Sequence, residues 1–138
     1  MSEGKVTGIG GIFFHCEDPA KTKAWYHEHF GIGADQYGHS FIQRSDEDPE
    51  KRILTQWSPM ASSSDYFKPS SEAFMINYRV DDLKALLTKL HEAGIEQVGE
   101  MEEYSYGKFA WVIDLDGRKI ELWEPIDAPL IDPEADQS

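Results

Sequence analysis

Two segments of equal length, one in each half of the chain, repeat the same pattern. The segments 18–31 and 81–94 both begin with an aspartate and end with a glycine. An aspartate in this place caps the first turn of a helix, and a glycine ends a helix in the left-handed conformation. Each segment follows an apolar stretch and precedes an isoleucine, Ile32 or Ile95. The repeat therefore predicts two similar units in tandem.

Apolar segments rich in β-branched and aromatic residues predict the strands of these units. They lie at 6–16, 40–44, 52–57, 74–80, 96–101, 107–114 and 118–124. The pattern indicates an α+β fold of two tandem βαβββ units. One domain is expected over 5–126, and it consists of unit one (5–57), a connector (58–71) and unit two (72–125). The acidic remainder, 127–138, is expected to be a disordered tail.

The charge of the chain limits its partners. There are 26 acidic and 13 basic residues, which give a formal net charge of -13. Nucleic acids and anionic membrane surfaces would repel such a chain, so neither is an expected partner. The single cysteine, Cys16, excludes an intramolecular disulfide bond. Neither a signal peptide nor an apolar segment of membrane-spanning length is recognisable, and a cytoplasmic location is expected.

The segment 114–122 reads Asp-Leu-Asp-Gly-Arg-Lys-Ile-Glu-Leu. A tight turn at 114–117 joins two strands, and alternation places Lys119, Glu121 and Trp123 on one strand face. Together with the duplicated strand, aspartate, helix and glycine pattern, this segment resembles the vicinal oxygen chelate superfamily. That superfamily includes glyoxalases, bleomycin-resistance proteins and extradiol dioxygenases. The resemblance covers residues 6–125 and implies a curved sheet around a shared cup, in a homodimer.

Active members of this superfamily hold a divalent metal with one ligand from each of four strands. By resemblance, the four positions correspond to Gly11, a residue of the strand 52–57, Met75 and Glu121. Glycine has no side-chain donor, a thioether is a poor ligand for these ions, and the strand 52–57 contains no carboxylate. Only Glu121 retains the chemistry of a ligand. No metal and no other cofactor is therefore expected, although a metal-dependent relative remains the alternative.

Inward-facing strand residues predict an aromatic pocket with a few polar groups, as is typical of small-molecule sites. The resemblance places His15 where lyases carry a basic residue that contacts an anionic part of the substrate. Arg79 lies in the matching strand of the second unit, where it either binds ligand or pairs with a carboxylate. The predicted ligand-binding residues are Phe13, His15, Trp57, Met75, Asn77, Arg79, Phe109, Trp111, Glu121 and Trp123.

Two functions of different classes follow from this pocket. One is a binding protein of the bleomycin-resistance type, which holds a small, partly aromatic or anionic molecule without a metal. The other is a lyase, isomerase or dioxygenase, either metal-dependent or with Glu121 as general base and His15 as acid. Alternatively, Glu121 is a remnant of the fold motif, and Trp111 and Trp123 belong to the core or to a dimer interface. A protein that acts only through partner contacts is the third interpretation.

Overall fold

Seven strands form one open, curved, mixed sheet in the computed structural model, which describes residues 3–132. The elements are β1 (Val6–Cys16), α1 (Pro19–Phe30), β2 (His39–Arg44), β3 (Arg52–Ala61), β4 (Phe74–Val80), α2 (Leu83–Glu92), β5 (Glu102–Tyr104), β6 (Gly107–Ile113), β7 (Lys119–Pro125) and α3 (Ala128–Ile131). The strand order is β2-β3-β1-β4-β7-β6-β5. The expected α+β fold class is confirmed.

The two units meet at the centre of the sheet, where β1 and β4 are antiparallel. On either side of this pair the topology is repeated, since β3 runs parallel to β1 and β7 runs parallel to β4. Within residues 3–132, the first unit supplies three strands and the second supplies four. The segment between α1 and β2, where the second unit has β5, contains only a bridge between Asp35 and Gly38. Gly31, with a positive φ, ends α1, and Gly38, also with a positive φ, directly precedes β2.

Two boundaries differ from the sequence prediction. The strand expected at 96–101 lies later in the chain, as β5. Gly99, with a φ of 72°, interrupts the expected strand, and its residues form only a single bridge, between Gln97 and Val112. The cap of α2 is Asp82 and not Asp81, since Asp82 accepts the N–H of Ala85. Asp81 accepts the backbone N–H groups of residues 3–5, and these hydrogen bonds, above all that from Lys5, lower the pKa of the Asp81 carboxyl.

The two helices contribute unequally to the core. Helix α2 packs its apolar face on the sheet and buries Leu83 and Leu87. Their neighbours in this core are Val80, Ala110, Val112 and Leu122. Helix α1 buries none of its residues, and Trp25 and Phe30 are 51% and 64% exposed. The outer face of the first unit, on the side of α1, therefore exposes two large aromatic side chains.

The expected disordered tail is ordered at its start. Residues 128–131 form α3, and Asp127 is only 3% exposed because its carboxylate pairs with buried Arg79. Residues 133–138 of the expected tail lie outside the described residues. None of the helices in the described part of the chain is long and apolar enough to cross a membrane.

Candidate functional site

A cavity of about 1510 Å³ opens on the sheet face that carries Glu121. Strand pairing places most of the predicted ligand-binding residues on this face, which we call the cup face, because side chains of directly paired residues point the same way. It carries Phe13, His15, Met75, Asn77, Arg79, Phe109, Trp111, Glu121 and Trp123. Of these, Phe13, Asn77, Phe109, Glu121 and Trp123 line the cavity. The segment 33–40, which ends in β2, and residues of α1 and α3 also line it.

Glu121 is 2% exposed and accepts three hydrogen bonds. Asn77 Nδ2 donates to Oε1 over 2.7 Å, and Trp111 Nε1 donates to Oε2 over 2.9 Å. The Tyr66 hydroxyl also donates to Oε2. A buried carboxylate is stable only when such donors replace its hydration, so these three side chains hold Glu121 in one position.

Tyr66 is a site residue that the strand patterns did not reveal. It lies between β3 and β4, in the connector, and its ring enters the cup beside Trp111. Burial raises the pKa of the Tyr66 phenol, and the negative charge of Glu121 raises it further. The phenol therefore stays protonated and keeps its role as a donor. A pair of adjacent aromatic residues, Tyr66 and Phe67, in an otherwise polar connector was the available signal.

Asn77 has a buried amide oxygen without a partner. Asn77 is 3% exposed, and its Oδ1 receives no hydrogen bond, whereas its Nδ2 donates to Glu121. A Cβ added at Gly10 would lie 2.2 Å from this oxygen and 2.9 Å from the Trp123 ring. Only glycine at position 10 lets Asn77 and Trp123 approach β1 this closely.

His15 does not reach Glu121 through any hydrogen bond, and it does not line the cavity. Its ring stacks on Phe67, with 4.3 Å between the centroids, and its Nε2 is buried without a partner. Met75 is likewise covered, at 1% exposure, in a cluster with Phe67 and Trp111. The connector residue Phe67 therefore fills the part of the cup in which the sequence placed His15 and Met75 as ligand-binding residues.

Arg79 belongs to an ion pair rather than to the cavity wall. Its guanidinium donates to both carboxylate oxygens of Asp127, over 2.9 and 2.6 Å, and to the carbonyl oxygen of Leu54 over 3.0 Å. It also lies 5.1 Å from the ring centroid of Trp123. The guanidinium, which was predicted to bind a ligand, is thus engaged by groups of the chain itself, and Arg79 is not among the residues that line the cavity. The alternative considered from the sequence, pairing with a carboxylate, is what the structure contains.

Trp57 lies on the opposite face of the sheet, contrary to the prediction. Its ring contacts Phe14 and Tyr26, at centroid distances of 5.5 and 5.0 Å. The neighbouring β3 residues Gln56 and Ser58 point to the cup face and line the cavity in its place. Successive residues of a strand point to opposite faces, so Trp57 cannot share a face with Gln56 and Ser58. The sequence prediction assigned Trp57 to the face that these two residues occupy.

The positions that correspond to metal ligands do not fit a four-ligand site. Gly11 has no side chain, Met75 is enclosed in the apolar cluster with Phe67, and the Glu121 oxygens are engaged by three donors. Among residues 3–132, no three His, Cys, Asp or Glu side chains are grouped so that they could hold an ion.

Several solved structures are similar to this chain in fold. A variant of the Streptomyces coelicolor methylmalonyl-CoA epimerase in complex with 2-nitronate-propionyl-CoA matches at 14% identity and a TM-score of 0.67, over 91% of this chain and 100% of that one. The Mycobacterium tuberculosis methylmalonyl-CoA epimerase matches at 19% identity and a TM-score of 0.58, over 95% and 96%. A Mn(II)-bound glyoxalase from Novosphingobium aromaticivorans matches at 18% identity and a TM-score of 0.56, over 88% and 40%. At these identities the likeness concerns the fold alone.

The family is defined by the sequence as well as by the fold. Residues 8–122 match the family model of the Glyoxalase/Bleomycin resistance protein/Dioxygenase superfamily. The chain belongs to this superfamily, as the duplicated pattern and the segment around Glu121 indicated. No curated protein sequence matches the chain.

Proposed function

We propose that the chain binds a small, partly aromatic molecule in the cavity on its cup face, without a metal ion. The observation that carries this proposal is the position of Glu121, a rigidly held carboxylate in the wall of a large cavity with aromatic sides. Apolar walls with a few fixed polar groups are typical of small-molecule sites. The anionic ligand considered from the sequence has less support, because Arg79 is engaged by Asp127.

Proton transfer by Glu121 is the second candidate function. It is favoured by the place of this carboxylate in the cavity wall, and solved structures with the same fold include epimerases bound to CoA esters. Against a CoA ester as the substrate stands the net charge of -13, which repels a ligand that carries several phosphate charges. A neutral aromatic ligand meets no such repulsion, so binding is the preferred proposal.

Binding is tested by NMR titration of the ¹⁵N-labelled protein with small aromatic alcohols and, separately, with methylmalonyl-CoA. We expect the aromatic compounds to shift the signals of cavity residues, the indole N–H of Trp123 among them, before and after treatment with EDTA. Leu130 lies on the rim of the cavity, and L130W should weaken binding roughly tenfold, a loss of about 1.4 kcal/mol.

The matched control is L115W, because Leu115 is 99% exposed in the turn between β6 and β7 and does not line the cavity. It should leave the dissociation constant unchanged. Equal effects of the two substitutions, or binding that disappears with EDTA, would contradict the proposal. Exchange of the α-proton of methylmalonyl-CoA in D₂O, lost in E121Q, would establish the second candidate function instead.

We further propose that the chain forms a homodimer through the outer face of its first unit. Exposed apolar clusters mark association surfaces, and Trp25 and Phe30 are 51% and 64% exposed with 5.4 Å between their ring centroids. Sedimentation velocity should give twice the mass of the chain for the wild type and the single mass for W25E. The control L115E, at another exposed apolar residue, should remain dimeric; a monomeric wild type at high micromolar concentration would refute the dimer.

A further inference from the structure

The side chain of Tyr66 occupies a place that has the contacts of a ligand subsite. Its hydroxyl donates to the buried carboxylate of Glu121. Its ring is flanked edge-on by Phe13 and Trp111, at centroid distances of 6.3 and 6.4 Å. The ammonium group of Lys119 lies 5.2 Å from the ring centroid. Aromatic walls, a cation near the ring and one acceptor for a hydroxyl together describe a subsite for a phenol.

Tyr66 is held there less tightly than its neighbour in the connector. Tyr66 is 36% exposed, whereas Phe67 is 1% exposed and forms part of a core cluster. The backbone is fixed independently of the ring, since the carbonyl oxygen of Tyr66 accepts a hydrogen bond from Lys119 Nζ over 2.6 Å and its N–H donates to Ser64. None of these backbone contacts involves the ring, so its rotation towards solvent would not require the connector to move.

The Tyr66 ring also stands between two cavities. It lines the main cavity and a second cavity of about 370 Å³ beside it, which is lined by Tyr104, Trp111 and Lys119 among others. Phe109 and Tyr106 line both cavities as well. Rotation of Tyr66 out of the cup would thus join the two spaces and uncover Glu121.

We propose that Tyr66 is a displaceable internal occupant of this subsite, and that the ligand of the cup is a phenol that takes its place on Glu121. This inference rests on the proposed binding function and specifies its ligand class. Displacement of Tyr66 by a ring without a hydroxyl leaves the buried carboxylate short of one donor, which is unfavourable. A phenol restores the same hydrogen bond. The subsite therefore selects aromatic molecules with a hydroxyl over those without.

The test measures the affinities of 4-methylphenol and toluene for the wild type and for Y66A by NMR titration. The probe is the indole N–H of Trp111, because this group donates to Glu121. For Y66A we expect 4-methylphenol to bind at least about tenfold more tightly than toluene, the effect of one missing hydrogen bond to a charged group. We also expect 4-methylphenol to bind Y66A about tenfold more tightly than the wild type, because in the wild type it must first displace the Tyr66 ring. In the wild type, bound 4-methylphenol should move the Tyr66 ring signals to those of a solvent-exposed tyrosine.

Tyr26 supplies the matched control. It is a partly exposed tyrosine that lines neither cavity and contacts Trp57 on the opposite face of the sheet. Y26A should bind 4-methylphenol as the wild type does. If Y66A does not fold, Y66F takes its place, since it keeps the ring, removes the hydroxyl and should bind 4-methylphenol more tightly than the wild type.

The outcomes separate this inference from the binding function. Equal affinity of Y66A for toluene and 4-methylphenol overturns the phenol subsite. Ligand bound to the wild type with unchanged Tyr66 signals also overturns it, and leaves the proposed function intact. Aromatic ligands that shift no cavity signal in the wild type or in Y66A overturn both.

Discussion

Replacing Asp127 by alanine lowers the free energy of unfolding by about 3–5 kcal/mol, as is typical when one partner of a buried ion pair is removed. The Arg79 and Asp127 side chains are 7% and 1% exposed, so the substitution leaves a buried guanidinium without its counter-charge. The N–H of Leu54, which donates to Asp127 Oδ1 over 3.1 Å, loses its acceptor as well. The loss is measured as a shift of the urea denaturation midpoint.

Two comparisons identify the cause of this loss. D132A, at an exposed aspartate of the same tail, should change the free energy of unfolding by no more than about 0.5 kcal/mol. The double substitution R79M and D127L replaces the pair with apolar side chains and should recover most of the stability. A D127A variant with the wild-type midpoint would show that the ion pair does not exist in solution.

Replacing Phe67 by alanine costs about 3–5 kcal/mol of stability, the usual range for a fully buried phenylalanine. Phe67 is 1% exposed, stacks on His15 and packs on Met75 and Trp111. Removal of the ring leaves a void beneath the connector, in the part of the cup that it now fills. Thermal or urea unfolding of the purified variant measures the effect.

The appropriate control at this position is F67L, which retains most of the apolar volume and should cost less than about 1.5 kcal/mol. Equal destabilisation of the two variants would mean that the shape of the ring, and not the volume it fills, determines the packing. Little destabilisation of both would mean that the connector does not close over His15 in solution.

The side chains that regular strands position were predictable from the sequence. Strict alternation fixes which residues share a face, and it placed Asn77, Glu121 and Trp123 together correctly. The same rule gave the wrong face for Trp57, because both faces of β3 carry apolar side chains and the sequence does not show which of them turns towards the cup. Gly99 interrupted the strand expected at 96–101 through a positive φ that composition alone does not reveal.

The contacts made by irregular segments were not predictable. Tyr66 reaches Glu121 from a connector, and Asp127 reaches Arg79 from the expected tail. Neither segment has a periodicity that defines where its side chains point, and both contacts join residues far apart in the sequence. A prediction from local pattern therefore identified Glu121 and Arg79 as notable residues but could not supply their partners.

The junction of Arg79, Leu54 and Asp127 makes the end of the described chain part of the contact between its two units. Arg79 belongs to the second unit, Leu54 to the first, and Asp127 follows both in the sequence. Because the Asp127 carboxylate accepts hydrogen bonds from Arg79 and from the N–H of Leu54, one side chain ties the two units to each other. We therefore expect a chain that stops before residue 127 to have the same defect as D127A, a guanidinium at this junction without its counter-charge.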